Sequence, residues 1–143
     1  MADTAIIEKK YSWAKWGDGV TFSVDKDDIA TVKVVKESYI DNCGVVVPYD
    51  GEKNSAYKYC FQAWTKIGTR EIRVCFGSEE NASGHVWHPF EKITITSRKQ
   101  TYELKCKISG NWQDFTLSFN CGGAIGELYI KVISIGSADV EVL

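Results

Sequence analysis

The stretch "YKYCFQAWTK", residues 57 to 66, alternates with period two, and that alternation constrains the chain more than any other feature. Successive side chains of a strand point to opposite faces. Tyr57, Tyr59, Phe61 and Ala63 therefore share one apolar face, and Lys58, Cys60, Gln62 and Trp64 share the other. The same pattern recurs along the chain, and no stretch shows helical periodicity. It predicts strands at Val20–Val24, Ile29–Val35, Cys43–Val47, Tyr57–Lys66, Glu71–Phe76, Ile93–Thr96, Thr101–Ile108, Phe115–Asn120 and Glu127–Ser134, with a short last one at Asp139–Val142. Turn chemistry separates them, in "WGDG", "VDKDD", "YDGEKNS", "KIGTR", "SEENASG", "SGN" and "CGGAIG". Pro48 and Pro89 fall at strand or loop ends, where a missing N–H costs little. Many short strands without helices predict an all-β fold, a β-sandwich or barrel.

A length of 143 residues suits one domain with a single core, so residues 1–143 are expected to form one module. The net charge is -2 and the cations are scattered, so no basic field exists for nucleic acid or an anionic membrane. No apolar run approaches the roughly 20 residues that span a bilayer. The start, "MADTAIIEKK", has an early acidic residue and no apolar signal core. The chain is thus expected to be either intracellular or a module of a longer secreted protein.

The five cysteines, Cys43, Cys60, Cys75, Cys106 and Cys121, are odd in number and lack CxxC spacing, which argues against zinc. They are expected to be mostly free thiols packed as small apolar groups. Cys60 and Cys75, on neighbouring strands, are the pair a bridge would use. His85 and His88 lie in "GHVWHPF" with no third ligand nearby and read as a polar loop. There is no P-loop, GxSxG or GxGxxG. No helix follows "CGGAIG" to offer N–H groups to phosphate, so it reads as a tight connection. The carboxylates fall mostly in turns and charged edges. A glycosidase pair is conceivable, but short strands leave little room for a catalytic cleft, so the chain is expected not to be an enzyme.

From Tyr57 onward the order of features resembles the carbohydrate-binding modules of the family four, nine, sixteen and twenty-two group. "YKYCFQAWTK" is followed by "REIRVCF", then by "KITITSRKQTYELK", and "FNCGGAIGELYIKVISI" closes the series. "WAKWGDGVTFSV" fits the N-terminal part more loosely. The resemblance implies a jelly-roll β-sandwich of two antiparallel sheets. It implies a non-catalytic module that binds a soluble β-linked plant polysaccharide, whether β-glucan, xyloglucan, xylan or glucomannan. It also implies a glycoside hydrolase tethered to a monomeric module, a secreted bacterial parent enzyme and no required cofactor. Lys131 stands in the final strand where the family often has an aspartate near a structural calcium, so calcium is left to Asp139 or Glu8. The alternative reading is a protein-interaction or structural sandwich, its exposed aromatics forming an interface.

A sugar ring offers a C–H face for stacking on an aromatic ring and a hydroxyl edge for amides and guanidinium groups. Trp64 opposes the core parity and lies in a strand where xylan-binding members carry a groove tryptophan. Gln62 shares its face. Trp112 shares parity with Asp114, Thr116, Ser118 and Asn120, opposite Phe115, Leu117 and Phe119. Asn120 occupies a place where similar modules put a polar groove residue, and Arg73 lies between core-facing Ile72 and Val74. Trp87 is expected on a loop at the groove rim. Of Trp13 and Trp16, at least one is expected to pack. The site candidates are thus Trp64, Trp112, Trp87, Gln62, Asn120 and Arg73, lining one groove.

Overall fold

The computed structural model describes residues 11–48, 56–81, 84–87, 90–107 and 112–137. Among them the strands are β1 (Ala14–Trp16), β2 (Val20–Val24), β3 (Ala30–Val34), β4 (Gly44–Pro48), β5 (Ala56–Thr65), β6 (Thr69–Asn81), β7 (Gly84–Trp87), β8 (Phe90–Thr96), β9 (Gln100–Lys107), β10 (Trp112–Asn120) and β11 (Gly126–Ser137). The only helical element among the described residues is a 3₁₀ turn at Ile40–Asn42. The strands form an antiparallel β-sandwich of the jelly-roll type. A six-stranded sheet has the order β1-β4-β10-β6-β7, with β8 also paired to β6, and a five-stranded sheet has the order β2-β3-β11-β5-β9.

The period-two pattern of the sequence becomes the core. In β5, Tyr59, Phe61 and Ala63 are buried, whereas Lys58 is exposed and Cys60, Gln62 and Trp64 are half-buried on the other side. The five-stranded sheet also contributes Val32, Leu128 and Ile130 to the interior. Val45, Val47, Ile72, Val74, Leu117 and Phe119 come from the six-stranded sheet. The two sheets meet where Phe61 packs edge-on against Phe119, with ring centroids 5.1 Å apart at 73°. Such edge-to-face pairs add about 1 kcal/mol to the burial of each ring. Tyr102 stacks on Phe61 at 5.4 Å.

Trp13 is a packing residue. Its ring lies 6.2 Å from that of Phe119, and its Nε1 donates to Asp28 Oδ1 at 3.2 Å. Asp28 is buried, has φ 61 and accepts from the Tyr11 N–H through Oδ2. Asparagine and aspartate tolerate this left-handed region better than most residues. Asp25 shapes the same β2–β3 turn by accepting from the N–H groups of Asp27 and Ile29.

Four expectations need correction or relocation. Cys60 and Cys75 cannot bridge: β5 and β6 are consecutive but belong to different sheets, and both thiols point away from the interior. Cys43, Cys60, Cys75 and Cys121 are free thiols. β6 runs to Asn81 and pairs with β7, so Ser78, Glu79, Glu80, Asn81 and Gly84 lie in paired strands, and Trp87 stands on a strand, paired with Ser78. β7 has only four residues, with Val86 and Trp87 on opposite parities, so it shows no alternation. The short strand at Asp139–Val142 and the oxygens of Asp139 and Glu8 lie outside the described residues.

Candidate functional site

The six-stranded sheet carries a row of side chains straight across its outer face. Trp16 pairs with Gly44, Gly44 with Asn120, Asn120 with Arg73, and Arg73 with Lys92. Directly opposed residues of antiparallel strands point to the same side. Phe119 and Val45, the neighbours of Asn120 and Gly44, face the core, so this row faces out. Gly44 is obligatory: a Cβ there would lie 2.3 Å from the Phe119 carbonyl oxygen. The glycine lets β4 and β10 approach closely between Trp16 and Asn120.

The next row outward is Ala14, Val46, Ser118 and Cys75. The Ser118 hydroxyl donates to Asn120 Oδ1 at 2.7 Å, and Asn120 Nδ2 lies 3.8 Å from Cys75 Sγ. Asn120 is only 5% exposed, so its amide is held in one orientation. Arg73 and Trp16 are half-buried beside it. The Nε1 of Trp16 is buried and has no hydrogen-bond partner among the described residues. An unsatisfied buried donor costs about 1–3 kcal/mol.

The outer face of the five-stranded sheet is built differently. Trp64 pairs with Tyr129, and their rings stack with centroids 5.3 Å apart. The Nζ of Lys99 sits 4.8 Å from the Trp64 ring centroid. Gln62 Nε2 donates to Thr101 Oγ1 at 3.3 Å. The Tyr129 hydroxyl donates to Glu127 Oε2. This bond, with Lys66 and Lys33 nearby, holds the Glu127 carboxyl below the usual carboxylate range, and the same bond raises the Tyr129 hydroxyl.

The expected single groove is therefore divided. Trp64 and Gln62 lie on one outer face of the sandwich, and Arg73 and Asn120 lie on the opposite one. Trp112 and Trp87 belong to strands of the six-stranded sheet; their side chains lie outside the described residues. The pairing of β10 with β6 shifts register twice between Trp112 and Leu117, so parity with Asn120 does not carry through to Trp112. Each such irregularity interrupts the alternation. Trp16 was hidden because a three-residue strand is too short to show a period. Ser118 and Cys75 were visible as parity partners of Asn120 and Arg73, but their small side chains drew no notice.

A held amide, a guanidinium and an indole thus lie on one outer face of a jelly-roll β-sandwich. Solved structures of carbohydrate-binding modules share the fold. A family 4 carbohydrate-binding module superposes with a TM-score of 0.73 at 14% identity, over 88% of this chain and 86% of that one. The family 22 xylan-binding domain of Paenibacillus barcinonensis Xyn10C gives 0.66 at 12% identity, over 94% and 92%. The N-terminal cellulose-binding domain of Cellulomonas fimi β-1,4-glucanase C gives 0.61 at 16% identity, over 91% and 90%. No family model and no curated protein matches the chain.

Proposed function

We propose that residues 1–143 form a non-catalytic carbohydrate-binding module whose glycan lies across the outer face of the six-stranded sheet. The observation that carries this reading is the cross-strand row from Trp16 through Asn120 to Arg73. It combines an aromatic surface, a fixed amide and a guanidinium at sheet spacing. Adjacent strands are about 4.8 Å apart, so groups on successive strands can meet successive hydroxyls of one chain. The ligand is a soluble β-linked plant polysaccharide: β-glucan, xyloglucan, xylan or glucomannan. The xylan-binding and cellulose-binding domains of like fold support that class. Lys92, at the end of the row, pairs with Glu71 at 3.9 Å, so its charge is balanced.

Trp64 is a poorer platform than its parity suggested. Tyr129 already occupies its flank, and the Lys99 ammonium already lies over its ring. The module is proposed to work as a monomer beside a tethered glycoside hydrolase outside the cell, concentrating that enzyme on its substrate. Affinity is expected to be modest, because each hydroxyl contact replaces one with water. Affinity electrophoresis against glucan, xyloglucan, xylan and mannan gels tests the reading. Retardation in at least one gel is expected, and none in any gel would overturn it. Release of reducing sugar would turn the reading toward an enzyme.

A further inference from the structure

One end of the sandwich holds a pocket of about 540 Å³, within the range of small-molecule sites. Its lining includes Lys33, Lys66, Arg70, Glu127, Ile67 and Ile125. Arg70 is its deepest charge. The residue is 8% exposed. Its Nη2 donates to the carbonyls of Cys121 at 2.6 Å and Ala124 at 2.9 Å, and these are its only hydrogen bonds among the described residues. Its Nε is buried without a partner among the described residues. A guanidinium has five N–H donors, so this one is under-satisfied.

Nor does Arg70 have an anion. No carboxylate among the described residues pairs with it. Its acidic neighbours are thiols, and burial pushes Cys121 up to about 12 and raises Cys43 as well, so both stay neutral. A buried cation without a counter-ion is costly. Nη1 points toward Gly126, where a Cβ would sit 3.5 Å from it. Gly126 also lines the pocket, so nothing larger than a hydrogen stands between Nη1 and the space beside it.

The rest of the pocket adds to the charge imbalance. Lys33 and Lys66 approach Glu127 at 3.9 and 4.0 Å. Three cations thus face one carboxylate, which is already engaged by both lysines and by Tyr129. Ile67 and Ile125, 81% and 66% exposed, give the rim apolar surface that water does not favour.

We propose that this end pocket is a second binding site, for a sugar that carries a carboxylate. The Arg70 guanidinium anchors the carboxylate through Nη1, as guanidinium groups suit carboxylates in shape and charge. Lys33 and Lys66 supply the attraction, and the C–H face of the ring rests on Ile67 and Ile125. The site is independent of the sheet face and lies at a different part of the fold.

The test is an NMR titration of the whole chain with glucuronate, with glucose as the neutral control and inorganic phosphate as the bare oxyanion. Glucuronate is expected to shift the amides of Ala124 to Glu127 and Lys66 to Thr69 in a saturable way, and glucose is expected to leave them in place. The double variant K33Q/K66Q changes only side chains 60% exposed, so it should fold. It should weaken glucuronate about tenfold, as the loss of two partly exposed charge contacts predicts. Absence of shifts, equal shifts with glucose, or undiminished binding by K33Q/K66Q would overturn the proposal. Shifts with phosphate but not with glucuronate would overturn it too, and would assign the pocket to an inorganic anion. None of these outcomes bears on gel retardation by neutral glycans, so the two readings fail separately.

Discussion

Trp64 and Tyr129 face each other across β5 and β11, rings stacked at 5.3 Å with 29° between their planes. That contact, with Lys99 over the indole, makes Trp64 part of the surface packing of the five-stranded sheet. Arg73 and Asn120 lie on the other side of the molecule. The location of the glycan is therefore a choice between two faces, and single substitutions can decide it.

Trp16→Ala and Arg73→Ala are each expected to weaken glycan binding about tenfold, the worth of one well-placed polar or stacking contact. Trp64→Ala should bind within about twofold of the parent by the same arithmetic. Retardation in affinity gels, with folding checked by circular dichroism, measures all three. Loss confined to Trp64→Ala would move the glycan to the five-stranded sheet.

The β10–β11 connection is packed too closely for a side chain at one glycine and not at the next. A Cβ on Gly122 would lie 2.3 Å from the Tyr39 carbonyl oxygen, whereas one on Gly123 would meet nothing nearer than 3.7 Å. Gly122→Ala should cost about 1–3 kcal/mol by overpacking. Gly123→Ala should change stability by less than about 0.5 kcal/mol. Urea denaturation of the pair checks the difference, and equal midpoints would contradict this packing.

Arg70→Lys keeps the charge but loses the planar fork that reaches Cys121 and Ala124 together. Hydrogen bonds to a charged group contribute about 1.5–3 kcal/mol, so a loss of about 3 kcal/mol is expected. The chemical-denaturation midpoint should fall, and the amides of 121–126 should exchange faster. An unchanged midpoint would show that the connection holds without this clip.

Glu127 should titrate below its ordinary value, first because it accepts from the Tyr129 hydroxyl and then because Lys66 and Lys33 are near. Its folded pKa lies under the unfolded one. Its contribution to stability is thus fully present above the unfolded value and is lost as pH falls through the folded one. In Tyr129→Phe the main cause disappears, so the midpoint should rise toward the ordinary value. Carbon-detected NMR of the Glu127 carboxyl reads both midpoints. An unmoved midpoint in the variant would assign the shift to the lysines.

Much of the strand content was legible because alternation is local. β2 falls at Val20–Val24 as read, and Tyr59, Phe61 and Ala63 take the core side of β5 because a strand buried on one face shows its period in its own residues. The same logic put Trp64 outside the core and set Arg73 and Asn120 against their buried neighbours. It could not find β1, which has three residues, or β7, which has four residues and no alternation. For Trp112 the register shifts within β10 interrupt the count, so parity alone does not place its side chain.

The sequence by itself thus determined the secondary structure class and, for most strands, which side chains face inward. Only the tertiary structure decided which outer face each remaining residue occupies. Trp64 and Arg73 are nine positions apart on consecutive strands, yet β5 lies in one sheet and β6 in the other. Side-chain parity is a property of a few neighbouring residues. Sheet membership is set by hydrogen-bonded partners far away in the chain, Tyr129 for Trp64 and Asn120 for Arg73, and no local period records it.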